Sequence, residues 1–189
     1  VVHVKTAQKR AALEHLLRDA SLVRAIVFTR TKHGANKVAR QLNSSGFVAE
    51  VIHGNKSQAA RQRALENFKS GDAWILVATD IAARGIDIRS VSHVFNYELP
   101  HEPESYVHRI GRTARAGAGG AAWALVDASE VGRLKAVQRF TKQTMERVTL
   151  DVDLDAATRQ LAPAKPASKE DTQDSKKPAA KRGGSRQGT

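Results

Sequence analysis

Residues 25–52 read AIVFTRTKHGANKVARQLNSSGFVAEVI, and this segment indicates the architecture of the whole chain. It opens and closes with apolar runs rich in Val and Ile, which is typical of buried strands. Between the runs lies an apolar stripe at helical spacing, made of Ala35, Val38, Ala39 and Leu42. A strand, a helix and a second strand joined by short connections predict a parallel pair, because a parallel crossover needs a helix to return the chain.

The same alternation continues along the chain. Two further helices are predicted, one with a stripe of Leu13, Leu16, Leu17 and Ala20, the other with Ala64, Leu65 and Phe68. Lys69 and Gly71 supply the signal that ends the latter helix. The predicted strands are Val1–Val4, Ala25–Phe28, Val48–Ile52, Ile75–Ala78, Val91–Asn96 and Ala121–Val126. The sequence therefore predicts an α/β fold, a parallel sheet with helices on both faces.

The length of 189 residues fits one domain followed by a tail. We expect the folded domain over residues 1–150, a connecting segment over 151–161 and a disordered basic tail over 162–189. The tail lacks large apolar residues, so nothing in it can offset the entropy of ordering. Because the chain begins at Val1, inside a predicted strand, we also expect it to be a fragment of a longer protein.

The composition indicates which classes of molecule the chain could bind. Lys and Arg number 31 against 19 acidic residues, giving a net charge of +12 that favours a polyanion. Nucleic acid is favoured over a membrane, because no apolar stretch approaches the roughly 18 to 20 residues of a spanning helix. The absence of Cys excludes disulfides, thiolate zinc sites and cysteine nucleophiles. We expect a cytoplasmic protein with no metal site of its own.

Polar residues follow the predicted strands, at the edge where parallel sheets gather their ligand contacts. Thr29 follows the second strand, His53 and Gly54 the third, and Thr79 and Asp80 the fourth. Farther along, residues 106–115 read YVHRIGRTAR, whose arginines form a cationic fork suited to a polyphosphate.

Residues 106–115 together with ATDIAARGIDI at 78–88 resemble motifs VI and V of the DEAD-box RNA helicases. The segment AIVFTRTK at 25–32 resembles motif IV, and IHGNKSQAAR at 52–61 resembles the HG and QxxR elements. The resemblance covers residues 1–150 and identifies the C-terminal, second RecA-like lobe, of a type similar to the bacterial RhlE subgroup. One departure is Ala114, where the motif usually carries Gly.

The resemblance implies a division of roles among these residues. On the ATP side, Arg112 and Arg115 would meet the γ-phosphate, with Arg115 as the arginine finger, and His108 would lie at the interface with the first lobe. Asp87 would bind the ATP ribose, next to a tight turn at Gly85. On the RNA side, the residues that would contact the backbone are Thr29, Gly54, Gln58, Arg61 and Thr79.

Some roles stay open from the residues alone. Arg84 and Arg109 either bind phosphate or hold the loops together by pairing with Asp80 or Asp87, and the structural role is favoured. Thr31 is well placed to cap the helix that follows the second strand. The basic tail either adds weak RNA contact or only keeps the chain in solution.

The chain has neither a GxxxxGK(S/T) phosphate loop nor an Asp-Glu-Ala-Asp segment. The family places both in the first lobe, so ATP and Mg²⁺ would be held mainly there, and this chain alone would not hydrolyse ATP. The implied partners are RNA and the N-terminal lobe of the same protein. Two alternatives remain: a non-catalytic RNA-binding or annealing module, and the second lobe of a DNA-directed helicase, in which Gln would be expected at position 108.

Overall fold

Six strands form one parallel sheet in the computed structural model, which describes residues 1–84, 91–113 and 119–162. Within these ranges the spatial order is β1-β6-β5-β2-β4-β3, and every pair is parallel. The strands are β1 (Val2–His3), β2 (Ala25–Thr29), β3 (Ala49–Ile52), β4 (Ile75–Thr79), β5 (His93–Asn96) and β6 (Ala121–Val126). All six predicted strands are confirmed, with ends shifted by no more than two residues.

Seven α-helices accompany the sheet in the described ranges. They are α1 (Lys9–Leu16), α2 (Lys32–Ser44), α3 (Gln58–Ser70), α4 (Asp80–Ala83), α5 (Pro103–Ile110), α6 (Val131–Thr141) and α7 (Leu154–Gln160). Short 3-10 helices at Thr6–Gln8 and Ala128–Glu130 precede α1 and α6. The predicted end of α3 is confirmed, since Gly71 takes the left-handed conformation, with φ of 92°.

Alternate residues of each strand point to opposite faces of the sheet, and helices cover both. Val27 and Val77 pack with α1, α2 and the partly buried Leu154 of α7. Ile26 and Leu76 pack with α3 and α4 on the other face. That second face continues under α5 and α6, which pack on the last residues of β6. The predicted α/β sheet with helices on both faces is therefore confirmed.

Two predictions differ from the structure. The helix α1 ends at Leu16, so Leu17 is buried just beyond it whereas Ala20 is exposed and lies on no helix. The segment expected to connect domain and tail, 151–161, instead contains α7, which is capped by Asp153 and packs against α1. A carboxylate of α7, Asp155, accepts a 2.7 Å hydrogen bond from Gln8, so the segment is part of the folded unit.

The predicted tail lies almost wholly in 163–189, outside the described residues. No helix within the described ranges is both long enough and apolar enough to cross a membrane.

Candidate functional site

A buried arginine organises the edge where the carboxyl ends of the strands meet. The side chain of Arg109, on α5, is only 1% exposed. Its Nε and Nη2 donate to the two carboxylate oxygens of Asp80 at 2.6 and 2.7 Å. Its Nη1 donates to Asn96 Oδ1 at 2.9 Å and to the carbonyl of Glu98 at 2.7 Å. The guanidinium also stacks over the Phe28 ring at 5.0 Å, so the Arg109 side chain joins its own helix α5 to β2, β5 and the start of α4.

This network fixes α5 and the turn that follows it. His108 is exposed and Arg112 is half-buried, and both line a cleft beside Asp80. Arg84 lines the same cleft from the end of α4. The cleft therefore gathers side chains from both segments that carry the motif V and motif VI resemblance.

The structure resolves one of the two open arginine roles. Arg109 pairs with Asp80 and is buried, so its predicted structural role is confirmed. Arg84 is exposed at the cleft, and both of its candidate roles stay predictions. Three predicted ATP-side residues, Gly85, Asp87 and Arg115, lie outside the described residues.

A second groove adjoins the cleft and shares Asp80 with it. Its lining brings together two predicted RNA contacts, Gly54 after β3 and Thr79 at the end of β4. The other lining residues are Arg30, Lys32, His53, Asn55, Asp80 and Ile81. Because Arg109 already neutralises Asp80, the surface of the groove is dominated by cationic and neutral polar groups.

His53 shapes the floor of this groove as a neutral ring. It is buried, its Nε2 lies 3.1 Å from Asn36 Oδ1, and its Nδ1 accepts the amide of Asn55 at 3.3 Å. Burial lowers the pKa of His53, and the positive charges of Lys56 and Lys32 lower it further. The imidazole is therefore uncharged at neutral pH and orders the loop around Gly54.

Two threonine hydroxyls near the end of β2 have different partners, and the sequence predicts that one contacts RNA and the other caps α2. Thr31 Oγ1 accepts the amide of Gly34 at 3.0 Å, which confirms its predicted role as the cap of α2. Thr29 is fully buried, and its hydroxyl donates to the carbonyl of Thr31 at 3.2 Å. In this geometry Thr29 supports the turn from beneath, and its RNA contact stays a prediction.

Gln58 and Arg61 lie on the first turn of α3, which Ser57 caps by accepting the amide of Ala60 at 3.2 Å. Gln58 is exposed and Arg61 is half-buried. Arg61 Nε is buried and has no hydrogen-bond partner among the described residues. A buried donor of this kind is costly unless an acceptor reaches it, which suits an anion at this helix end.

Two cations of the groove were absent from the predicted site residues. Arg30 and Lys32 line it directly after β2. Arg30 is held by Glu98, whose Oε2 accepts the Arg30 amide at 2.9 Å and whose Oε1 accepts the guanidinium at 3.2 Å. The signal that points to both cations is their position immediately beyond a strand that ends at the ligand edge.

A buried ionic cluster supports the loop before α5 from the opposite side. Lys9 is 2% exposed, pairs with Glu130, lies 3.4 Å from Asp127, and donates to the carbonyl of Tyr97 at 3.0 Å. Glu130 also accepts the amide of Leu99 at 2.9 Å. Together with Arg109, these bonds fix the backbone of residues 97–99 on both sides.

Burial opposes the charge of Asp127, but the Ser129 hydroxyl, the Lys9 charge and the Thr6 hydroxyl hold its pKa down at about 2. Asp127 is therefore a carboxylate at neutral pH and contributes to the cluster as an anion. Within the described ranges, no group of three His, Cys, Asp or Glu residues gathers in a way that could hold a metal ion.

Comparisons with known proteins agree with this geometry. Residues 8–117 match the family model described as the helicase conserved C-terminal domain. The DEAD-box ATP-dependent RNA helicase CshA of Bacillus cereus is 46% identical over 164 residues, which cover 85% of this chain and 31% of that protein. This chain thus spans about a third of the length of the curated relatives it matches. The predicted RhlE-type subgroup is not confirmed by these matches.

Solved structures give the same result. The E. coli DEAD-box protein SrmB, bound to regulator of ribonuclease activity A, superposes with a TM-score of 0.73 at 36% identity, covering 89% of this chain and 95% of that chain. S. cerevisiae Dbp5 bound to RNA and ADP BeF3 superposes with a TM-score of 0.73 at 34% identity, covering 85% of this chain and 44% of that one. The chain therefore belongs to the helicase conserved C-terminal domain family, as a RecA-like second lobe of the DEAD-box RNA helicase type.

Proposed function

We propose that this chain is the second lobe of an ATP-dependent RNA helicase, supplying arginines to ATP hydrolysis and phosphate contacts to RNA during local unwinding of a duplex. The observation that carries the proposal is the Arg109 network, because its partner Asp80 lines two sites at once. One is the arginine cleft, which Arg84 and Arg112 line, and the other is the cationic groove, which Arg30 and Lys32 line. A single rigid connection thus holds the two candidate sites side by side.

On the ATP side, the proposal rests on the position of the Arg112 guanidinium in the cleft. The four hydrogen bonds of Arg109 anchor the last turn of α5, and Arg112 lies in the turn that follows it and lines the cleft. Guanidinium groups match phosphoryl oxygens, and a positioned arginine is worth roughly 10³ to 10⁵ in rate in enzymes that use one. Arg112 and Arg115 would act on the γ-phosphate, Asp87 with Gly85 on the ribose, and His108 against the first lobe.

On the RNA side, backbone contacts would come from the cationic groove and the start of α3. Gly54 lets a phosphate approach the chain closely, and Arg61 offers a buried donor. Gln58 and Thr79 would add neutral donors beside them. Contacts of this kind read phosphate and sugar, so we expect little sequence preference and affinity that falls with salt.

The remaining chemistry would come from the first lobe. The relatives that match are about three times longer than this chain, and the phosphate loop and the Asp-Glu-Ala-Asp segment are absent from it. That lobe would hold ATP and Mg²⁺, and this chain alone would not hydrolyse ATP. RNA and ATP would favour the closed arrangement because each contacts both lobes only there. The likeness to Dbp5 bound to RNA and ADP BeF3 supports this arrangement. We expect the intact protein to be cytoplasmic.

The test is RNA-stimulated ATPase activity of the intact parent protein. Arg112→Ala and Arg115→Ala should each lower kcat by at least about 100-fold, the scale of removing an arginine finger. Arg139→Ala is a matched control, because it removes an equal charge from an exposed position on α6. Activity of the two variants within a few-fold of the control would contradict the proposal.

The net charge of +12 also favours a second candidate, an RNA-binding or annealing module without catalysis. Such a module would anneal strands equally well with and without ATP, and Arg112→Ala would leave its annealing rate unchanged. Stimulation of the ATPase by DNA as strongly as by RNA would instead point to a DNA-directed helicase.

A further inference from the structure

Glu98 is hydrogen-bonded to one lining residue of each candidate site, Arg109 of the cleft and Arg30 of the groove. It follows β5 by two residues, and its carbonyl accepts the guanidinium of Arg109 at 2.7 Å. Its carboxylate accepts two hydrogen bonds from Arg30, one from the backbone amide at 2.9 Å and one from the guanidinium at 3.2 Å. One acidic residue is thus bonded to the arginine that fixes α5 and to a cation that lines the groove.

Both side chains of the Arg30–Glu98 pair are partly exposed to solvent, whereas the Arg109 side chain of the Arg109–Asp80 pair is buried. The two side chains are 24% and 23% exposed, against 1% for Arg109. Ion pairs with this much access to water are weak, since solvent screens them and competes for their hydrogen bonds. Another anion that reaches the groove can therefore compete with Glu98 for Arg30.

Glu98 also occupies a position that attracts anions. A Cβ added at Gly34 would lie 3.5 Å from Glu98 Oε2, so the carboxylate sits against the first turn of α2. The amide dipoles at the start of a 13-residue helix favour negative charge there. Lys32, the first residue of α2, lines the groove beside Arg30. The carboxylate thus lies against Arg30 and the first turn of α2, two features that would also attract an RNA phosphate.

We propose that Glu98 is an internal competitor for RNA phosphate: it holds Arg30 in the free protein, and Arg30 contacts the RNA backbone when the pair opens. Glu98 then sets the RNA affinity of the groove at a lower value than its cations alone would give. This inference rests on the proposed RNA-binding function and adds one contact residue and one affinity-setting residue to it.

The experiment measures binding of the 189-residue chain to a fluorescent single-stranded oligouridylate by anisotropy, between 50 and 200 mM KCl, the range over which phosphate contacts change affinity strongly. Glu98→Gln keeps the shape of the side chain and removes its charge. Asp155→Asn is the matched control, because Asp155 also pairs with an exposed cation, Lys5 at 3.2 Å, but on α7. The two variants raise the net charge equally.

We expect Glu98→Gln to bind RNA roughly 3- to 10-fold more tightly than Asp155→Asn at 50 mM KCl, the scale of one added phosphate contact. The slope of log affinity against log salt should steepen by about 0.7, the value for one further contact to a single strand. Combining Arg30→Ala with Glu98→Gln should abolish both changes, because the released cation is then missing.

Three other outcomes overturn the inference. Affinity of Glu98→Gln within twofold of Asp155→Asn would show that the carboxylate does not compete. Weaker binding by Glu98→Gln would show that Glu98 prepares Arg30 for RNA instead of withholding it. Failure of the wild-type chain to bind RNA at any salt concentration would remove the proposed RNA contacts of the groove, and this inference with them.

Discussion

Removing the counter-charge of Arg109 should destabilise the whole domain, and Asp80→Asn does so with little change in shape. Arg109 is 1% exposed and both of its bonds to Asp80 are short, at 2.6 and 2.7 Å. Breaking a buried ion pair by removing one partner costs about 3 to 5 kcal/mol. Asp80 itself is 27% exposed, so water partly replaces the lost carboxylate. We therefore expect a loss of about 2 to 3 kcal/mol in the free energy of unfolding.

The assay is urea unfolding of the chain at pH 7, followed by circular dichroism. With a slope of about 1 to 3 kcal/mol per molar urea, the loss should lower the midpoint by roughly 1 M. Asp155→Asn removes an equal charge from an exposed ion pair on α7 and should lower the midpoint much less. If Asp80→Asn unfolds at the same midpoint as Asp155→Asn, the Arg109–Asp80 pair does not stabilise the domain.

Three further predictions concern stability. The pKa of Asp127 is about 2 in the folded state, below its unfolded value of 3.8, so its contribution to the free energy of unfolding is complete above about pH 4 and is lost as pH falls through about 2. Asp127→Asn should therefore weaken the dependence of stability on pH in this window, measured by acid unfolding. An unchanged pH dependence would contradict the lowered pKa of Asp127. Gly71→Ala should cost about 1 kcal/mol, since φ at residue 71 is 92°, and a neutral effect in urea unfolding would argue against that conformation. Thr31→Ala should cost about 1 kcal/mol by loss of the α2 cap, whereas Thr31→Ser should retain most of the stability.

Local patterns were enough to predict the sheet and several of its boundaries. Runs of Val and Ile separated by helical stripes predicted all six strands, because burial on both faces leaves a nearly continuous apolar signature. The cap at Thr31 and the helix end at Gly71 were also predictable, since each depends on one residue and its immediate neighbours.

Long-range polar partners could not be predicted in the same way. Lys9 is buried on α1 although lysine is usually exposed, and its partner Glu130 is 121 residues away. Nothing in the spacing of either residue predicts that they meet. The helix α7 was missed because its sequence is mostly polar and its apolar contact surface is small, although Asp153 offered a capping signal.

The candidate site combines both situations. Gly54 and Thr79 were predicted from strand ends and do line one groove. The fully buried position of Thr29 depends on how the loop after β2 folds back, which the residue types do not specify. The pairing of Arg30 with Glu98 joins loops after two neighbouring strands, so it follows from the sheet order and not from either segment alone.

The most direct test of the second-lobe assignment is a structure of the intact protein with RNA and a nucleotide bearing a γ-phosphate mimic. We expect the guanidinium of Arg112 to lie within hydrogen-bond distance of the mimic, about 3 Å, while Arg109 remains hydrogen-bonded to Asp80. RNA phosphates should lie along the groove that Gly54 and Thr79 line. A closed complex in which Arg112 makes no contact with the nucleotide and RNA bypasses this groove would contradict it.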